Sequence, residues 1–182
     1  MGSDERAIVT DRLELRAITL PIFEAVWSGD RVEFERLMQA SLPKAWPNRA
    51  LIERAFTASP ERIRADPEGR LWGDRLMITR SDPPRCIGSV VFHGKPDESG
   101  LVEVGYGLDD GSQGQGLATE AVRAAIEWAV AQPGVRVVSA TTFPLHIPSI
   151  RVLEKCGMHR AGFRDHELLG DLLVFELHCR KG

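Results

Sequence analysis

The sequence predicts a mixed α/β fold built on one sheet, and three observations predict it. Thr10–Thr19 sets Leu13, Leu15 and Ala17 against Arg12, Glu14 and Arg16, the period-2 pattern of a half-buried strand. Polar turns at Ser81-Asp82-Pro83-Pro84 and Lys95–Gly100 join three further strand patterns into a meander. A helical stripe of Leu117, Ala118, Ala121, Val122 and Ala125 then stands between the strand pattern Leu101–Leu108 and the β-branched run Val135–Phe143. That is the order of a right-handed parallel β-α-β crossover.

The remaining elements follow in chain order. Leu20–Ser28 and Arg31–Ala40 have the spacing of two short helices divided by Gly29-Asp30. Phe23, Val26 and Trp27 supply the apolar side of the first, and Val32, Phe34, Leu37 and Met38 that of the second. Pro43 and Pro47 bound a connector holding Trp46. Asn48–Ala58 reads as a helix with Leu51, Ile52, Ala55 and Phe56 as its stripe, and Pro60 ends it or opens the next turn. Leu71–Thr79 and Cys86–His93 form a hairpin, which Leu101–Leu108 extends. The helix Leu117–Ala131 stops at Pro133-Gly134, and Val135–Phe143 is apolar enough for a strand buried on both faces. A helix over Pro148–Cys156 tolerates proline in its first turn and is closed by Gly157. Met158–Arg164 and Asp171–Cys179 are the last strands, joined by a polar turn at Glu167–Asp171.

Bulk properties bound the function. A chain of 182 residues, 43% hydrophobic and 27% charged, has ordinary globular composition and reads as one domain over 1–182. A formal charge of -3 gives no footprint for nucleic acid. No apolar run of about 18 residues could span a membrane, and the charged opening MGSDERAIVTDR is no secretory signal. Cys86, Cys156 and Cys179 are odd in number and widely spaced, which points to reduced thiols in a cytoplasmic protein. His93, His159, His166 and His178 lack metal-ligand spacing, so no metal is expected.

The most informative stretch runs from Gly105 to Val122. Here a strand enters a glycine-rich turn that opens directly into a helix. The first turn of a helix carries unpaired N–H groups and partial positive charge, and glycines remove the Cβ atoms that would keep a phosphate away. Gln113, Gly114, Gln115, Gly116, Leu117, Ala118 and Thr119 are therefore candidate ligands for a phosphorylated cofactor. In the preceding strand, Glu103, Gly105 and Gly107 share one face. A glycine within a strand marks a bulge or the close approach of a ligand. Glu103 is then either a carboxylate facing a cleft or a solvated surface residue.

With these segments in place, the sequence resembles the GCN5-related N-acetyltransferase (GNAT) superfamily, and within it the RimJ/RimL-type ribosomal-protein N-acetyltransferase branch. The superfamily's acyl-CoA motif, Gln/Arg-x-x-Gly-x-Gly/Ala, stands here as Gln113-Gly114-Gln115-Gly116-Leu117-Ala118. The branch opening Thr-x-Arg-Leu-x-Leu-Arg is TDRLELR at Thr10–Arg16, the continuation ATEA falls at Ala118–Ala121, and a late block, SIRVLEKCG, spans Ser149–Gly157. The resemblance implies a mostly antiparallel sheet of six to seven strands with a central parallel crossover and flanking helices. It implies acetyl-CoA as cosubstrate, its pyrophosphate on the backbone of Gln113–Thr119 and its pantetheine arm on Tyr106, Gly107 and Leu108, with an N–H near Leu108 polarising the thioester. Glu103 would be the base and Ser149 a proton donor bordering the cofactor. The acceptor would be an amine: a protein N-terminus, or alternatively a small amine or an aminoglycoside. A homodimer is among the assemblies the resemblance allows.

The chain departs from the branch twice. His146 stands where the branch has Asn as a cofactor or helix-start contact, and Leu153 stands where relatives carry a tyrosine acid. Rival readings are weaker. A dinucleotide fingerprint fails because Thr119 occupies the third glycine position and Val135–Phe143 carries no acidic residue. A phosphate loop fails for want of Gly-Lys-Ser/Thr. A non-catalytic acyl-CoA-binding module on the same fold is the remaining alternative.

Overall fold

The computed structural model describes residues 7–43, 60–66 and 69–179. β1 (Ile8–Val9) pairs antiparallel with β2 (Leu13–Ala17), whose Leu13, Leu15 and Ala17 are buried as the alternation predicts. Helices α1 (Leu20–Trp27) and α2 (Arg31–Met38) follow. Asp30 caps α2 by accepting from the Glu33 N–H at 2.9 Å. The helix expected over Asn48–Ala58 lies outside the described residues, and α3 (Pro60–Ala65) opens at Pro60. A 3₁₀ turn, Gly69–Trp72, leads into β3 (Asp74–Thr79), β4 (Cys86–Phe92) and β5 (Leu101–Leu108). After α4 (Leu117–Val130) come β6 (Val137–Thr142), α5 (Ile147–Lys155), β7 (His159–His166) and β8 (Gly170–His178).

These strands make one sheet in the order β1-β2-β3-β4-β5-β6-β8-β7. Among the described strands every neighbouring pair is antiparallel except β5 and β6, which α4 connects. The sheet therefore has eight strands where six to seven were expected. The addition is β1, too short to show alternation in the sequence. One face packs on α4 and α5 through a core that includes Leu13, Leu15, Val90, Phe92, Val102, Val104, Ala121, Val122 and Val138. The other packs α1 and α2 on β3 through Ile22, Phe23, Phe34, Met38, Leu76 and Ile78.

Three expectations are corrected. Trp27 and Val32, read as core, are 72% and 78% exposed; α1 buries Ile22, Phe23 and Ala25 instead. On helices of two turns several stripes fit one pattern, and packing chooses among them. Leu71 and Trp72 belong to the 3₁₀ turn rather than to a strand, and Trp72 packs tilted against Trp128 at 4.8 Å and edge-on against Phe92 at 5.6 Å. Trp72 is partly buried and packs against the core. β6 spans Val137–Thr142 and leaves Val137 and Thr141 half-buried, so it is not covered on both faces throughout.

Two adjacent charges begin β3. Arg75 is fully buried, with its guanidinium 4.3 Å above the Trp128 ring. Asp74 is 4% exposed on the opposite face, and among the described residues no other residue donates a hydrogen bond to either carboxyl oxygen. Burial pushes its carboxyl up to about 8, which a backbone hydrogen bond only partly offsets. The folded form therefore holds a proton that the unfolded chain, at a value near 3.9, has released. Stability from this site falls as pH rises from about 4 to about 8 and is level above. Asp74→Asn is expected to stabilise the protein by about 1–3 kcal/mol or more near pH 8. The gain, read from urea midpoints at several pH values, should shrink towards pH 4.

Candidate active site

The centre of the site is where β5 and β6 part. Leu101, Val102 and Glu103 pair with Val137, Val138 and Ser139, and the parallel ladder ends there. Beyond it β5 stays with β4 to Leu108, while β6 stays with β8 to Thr142. The backbone of Tyr106, Gly107 and Leu108 thus lines a fork that is open on its β6 side.

No bulge interrupts β5, whose register against β4 is continuous from Val104 to Leu108. Side-chain parity therefore holds to the end of the strand. The irregularity sits one strand over, where β4 shifts register against β3 between Met77 and Ile78. Gly88, next to that shift, passes against β5. A Cβ there would lie 2.1 Å from the Gly107 carbonyl oxygen and 2.9 Å from the Leu108 Cα, so only glycine permits this approach.

β5 then runs into a tight turn. The Asp109 carboxylate accepts from the Gly111 N–H at 3.0 Å and the Ser112 hydroxyl at 2.6 Å, closing a 3₁₀ turn, Asp110–Ser112. Gln113 turns its amide back to the Asp110 carboxylate at 3.1 Å, so its side chain stabilises the turn. Gly114 and Gly116 adopt φ of 74° and 78°, a left-handed geometry that costs other residues energy. Residues 113–116 are exposed, and the N–H groups of Gly114, Gln115 and Gly116 donate to no acceptor among the described residues. A Cβ on Gly114 would meet nothing within 4 Å. Leu117 is buried and anchors the helix start, with Ala118 and Thr119 half-buried after it. This is a row of open backbone donors ahead of a helix N-terminus, a fit for a diphosphate.

A clamp from the turn between β1 and β2 fixes that row. Arg12 donates through Nε to Glu120 Oε2 at 2.6 Å, through its backbone N–H to Oε1 at 2.9 Å, and through Nη1 to the Gln115 carbonyl at 3.0 Å. The Thr10 hydroxyl donates to Oε1 at 2.6 Å. Partial burial pushes the Glu120 carboxyl up, but these donors outweigh it and hold it below its ordinary value. With the Gln115 carbonyl held on Arg12, the neighbouring N–H groups are left to face outward.

Glu103 sits at the apex of the fork. The Thr141 hydroxyl donates to Oε1 at 3.1 Å and Arg164 Nη1 donates to Oε2 at 2.9 Å. The carboxylate is thus fixed across three strands, and each oxygen keeps a lone pair for a further proton. Tyr106 projects from the other face and donates its hydroxyl to the Ser149 carbonyl at 3.2 Å, tying β5 to α5. Burial pushes the phenol up to about 12, against the hydrogen bond to Ser149. Glu103 and Ser149 are therefore not neighbours, since they flank the fork on opposite faces. Ser149 is half-buried in the first turn of α5, and exposed His146 precedes that helix without capping it by its side chain. Cys156 is a buried core residue.

Gly88, Thr141, Arg164 and the Arg12–Glu120 pair were not assigned from the sequence. Arg12 and Glu120 lie 108 residues apart, and Glu103 and Arg164 lie 61 apart. No local pattern announces such pairs, although both ends of the clamp fall within motifs that carry the resemblance. Among the described residues no group of three or more His, Cys, Asp or Glu is placed to hold a metal ion, and no helix is long and apolar enough to cross a membrane.

A parallel pair that parts at a fixed carboxylate, beside a helix entered through glycines, is the arrangement implied by the resemblance to acetyltransferases. Residues 12–159 match the family described as an acetyltransferase (GNAT) domain, and the chain belongs to that family. It is similar to the uncharacterized N-acetyltransferase YjdG of Bacillus subtilis, with 28% identity over 150 residues, covering 81% of this chain and 86% of the relative. The fold is similar to that of a ribosomal-protein-S5-alanine acetyltransferase from Vibrio fischeri, with a TM-score of 0.66 and 18% identity over 96% of this chain and 97% of that one. It is also similar to RimL, a ribosomal L7/L12 α-N-protein acetyltransferase solved in complex with coenzyme A, with a TM-score of 0.62 and 16% identity over 94% and 97% of the two chains.

Proposed function

We infer that this acetyltransferase moves the acetyl group of acetyl-CoA to a primary amine, a protein N-terminal α-amine being the acceptor favoured by the RimJ/RimL-like motifs. One observation carries the reading: the ladder between β5 and β6 stops at Glu103, leaving a groove that leads to the open N–H groups of the glycine turn. Gly114, Gln115, Gly116, Leu117, Ala118 and Thr119 would hold the diphosphate, and Tyr106, Gly107 and Leu108 the arm. Bound acetyl-CoA supplies an activated acyl carbon and a thiol leaving group.

The chain's part is to orient that carbon and to move protons. Glu103 takes the proton of the incoming ammonium, directly or through a water. An α-amine near 8 surrenders it more readily than a lysine near 10.4, which favours an N-terminal acceptor at neutral pH. Fixed backbone donors near Leu108 hold the oxyanion without reorganisation. Ser149 or water returns a proton to the thiolate; the buried Tyr106 phenol is committed to the Ser149 carbonyl.

The test is thiol release from acetyl-CoA with a panel of peptides, small amines and aminoglycosides. Transfer is expected to peptide α-amines; release with no amine acetylated would overturn the reading. The clamp gives a second test. Arg12→Ala is expected to raise the KM for acetyl-CoA about tenfold, the loss of one charge-assisted hydrogen bond, while the KM for the acceptor stays put.

A further inference from the structure

The two edges of the sheet differ. β1 is two residues long, whereas β7 is eight residues long and, among the described strands, pairs only with β8. Every residue of β7 except Gly162 is exposed. An open strand of this length offers a row of backbone donors and acceptors to another chain, and charged side chains usually discourage the pairing. On β7 the order of the charges favours it. Arg160, Phe163 and Asp165 stand opposite Phe175, Leu173 and Asp171, alternate residues of β8. The three therefore project from one face, with Ala161 the extra residue of a bulge. The Arg160 guanidinium lies 4.5 Å over the ring of Phe163, a residue 62% exposed. Laid antiparallel on a second copy of itself and centred on Phe163, β7 brings Arg160 opposite Asp165 of the copy and Asp165 opposite its Arg160. The same register puts Gly162 of the copy opposite Arg164, so the side chain that holds Glu103 meets no bulk.

The turn beyond the strand adds a second match. It carries Leu168 and Leu169, 88% and 52% exposed, beside Glu167. In the antiparallel register this turn runs past His159 of the copy towards its Gly157. There the surface holds a cleft of about 380 Å³ between α4, the end of α5 and β8, lined by Ile126, Val130, Lys155, Cys156, Gly157 and Leu177. Leu177 alternates with Phe175 and Leu173, so the cleft opens on the face of Phe163. Its apolar side chains suit the two leucines, and Lys155 is opposite in sign to Glu167. We propose that β7 is a homodimer interface: two copies pair their edge strands antiparallel about Phe163, Arg160 of each meets Asp165 of the other, and the Leu168-Leu169 turn of each seats in the other's cleft. The occupant is a second copy because the edge complements itself in charge and the turn complements a cleft of its own molecule, so both contacts close about one twofold axis.

Sedimentation equilibrium tests the interface. The native protein is expected to be dimeric at about 10 µM, the range of a micromolar Kd. Asp165→Arg sets arginines against each other at both ends of the strand pair and should weaken the dimer at least about tenfold. Arg160→Asp should do the same with carboxylates. The double variant, Arg160→Asp with Asp165→Arg, restores opposite charges in this register alone and should regain the dimer. Leu168→Glu, in an exposed turn that the fold does not depend on, should weaken it by burying a charge in the cleft. Thermal midpoints show that each variant is folded. A native protein that is monomeric at that concentration, a dimer indifferent to the single charge reversals, or a double variant no better than either single overturns the interface. A dimer unchanged by Leu168→Glu overturns the seating of the turn.

Discussion

Glu103→Gln is expected to lower kcat by about 10²–10⁴-fold, the usual contribution of a positioned general base, with little change in the KM for acetyl-CoA. The substitution keeps shape and one acceptor oxygen but removes the group that accepts the ammonium proton. Thr141 can still donate to the amide oxygen. Arg164, which now donates to Oε2 at 2.9 Å, would meet an amide NH₂ or force a flip. Arg164→Met separates the two consequences: it releases the carboxylate from its partner without removing the base, and a loss well short of that of Glu103→Gln is expected. The pH profile is the decisive reading. If Glu103 is the base, the residual activity of Glu103→Gln climbs with pH as more acceptor arrives already deprotonated, and an α-amine substrate recovers at lower pH than a lysine side chain. An unchanged kcat across the whole profile would make Glu103 a structural tie between β5, β6 and β7.

Gly88→Ala is the second large effect, and it involves no group that touches substrate. Its Cβ would fall 2.1 Å from the Gly107 carbonyl oxygen, a backbone atom that cannot rotate away. Overpacking of this kind costs about 1–3 kcal/mol, and relief must come from moving β4 or β5. Either displacement shifts Tyr106, Gly107 and Leu108, the wall of the fork. We expect a lower urea midpoint together with at least about tenfold weaker binding of coenzyme A by calorimetry, each tenfold being about 1.4 kcal/mol. Gly105→Ala is the comparison, since its Cβ would meet only the side-chain atoms of Val91 and His93, at 3.2 and 3.4 Å. Its stability loss should be the smaller. Equal losses would show that glycine content, not the approach of β4 to β5, sets the requirement.

The contrast between these two glycines marks what the sequence could tell. Alternation and turn chemistry located β5 at Leu101–Leu108 with the bounds the structure has, and the stripe of α4 was read to within its last turn. Both are long, periodic and locally determined. Glycines 105 and 107 were legible because they interrupt an otherwise regular strand, but the irregularity they suggested belongs to β4. The bulge arises from how β3 and β4 pair, and the lone Gly88 in Cys86–Phe92 was the local sign of it that went unread. The same holds for the carboxylates. That Glu103 shares a face with the glycines follows from counting by twos; that Thr141 and Arg164 hold it depends on β6, β8 and β7 arriving in that order across the sheet. Asp74 is the extreme case, an ordinary acidic residue at a strand start until register sets it opposite Val91 and buries it.

The Arg12–Glu120 clamp has a consequence for how such chains can diverge. The segment Thr10–Arg12 touches none of the proposed substrate, yet it decides whether the glycine turn is preorganised or must be ordered at the moment of binding. A change at Glu120 that removes the acceptor strands both Thr10 and Arg12, so neither end drifts freely. Inherited variation at the two positions should be coupled, with paired exchanges tolerated and single ones purged. Trimming the chain as far as Arg12 should yield a folded protein that has lost its grip on nucleotide while the amine side of the cleft is intact.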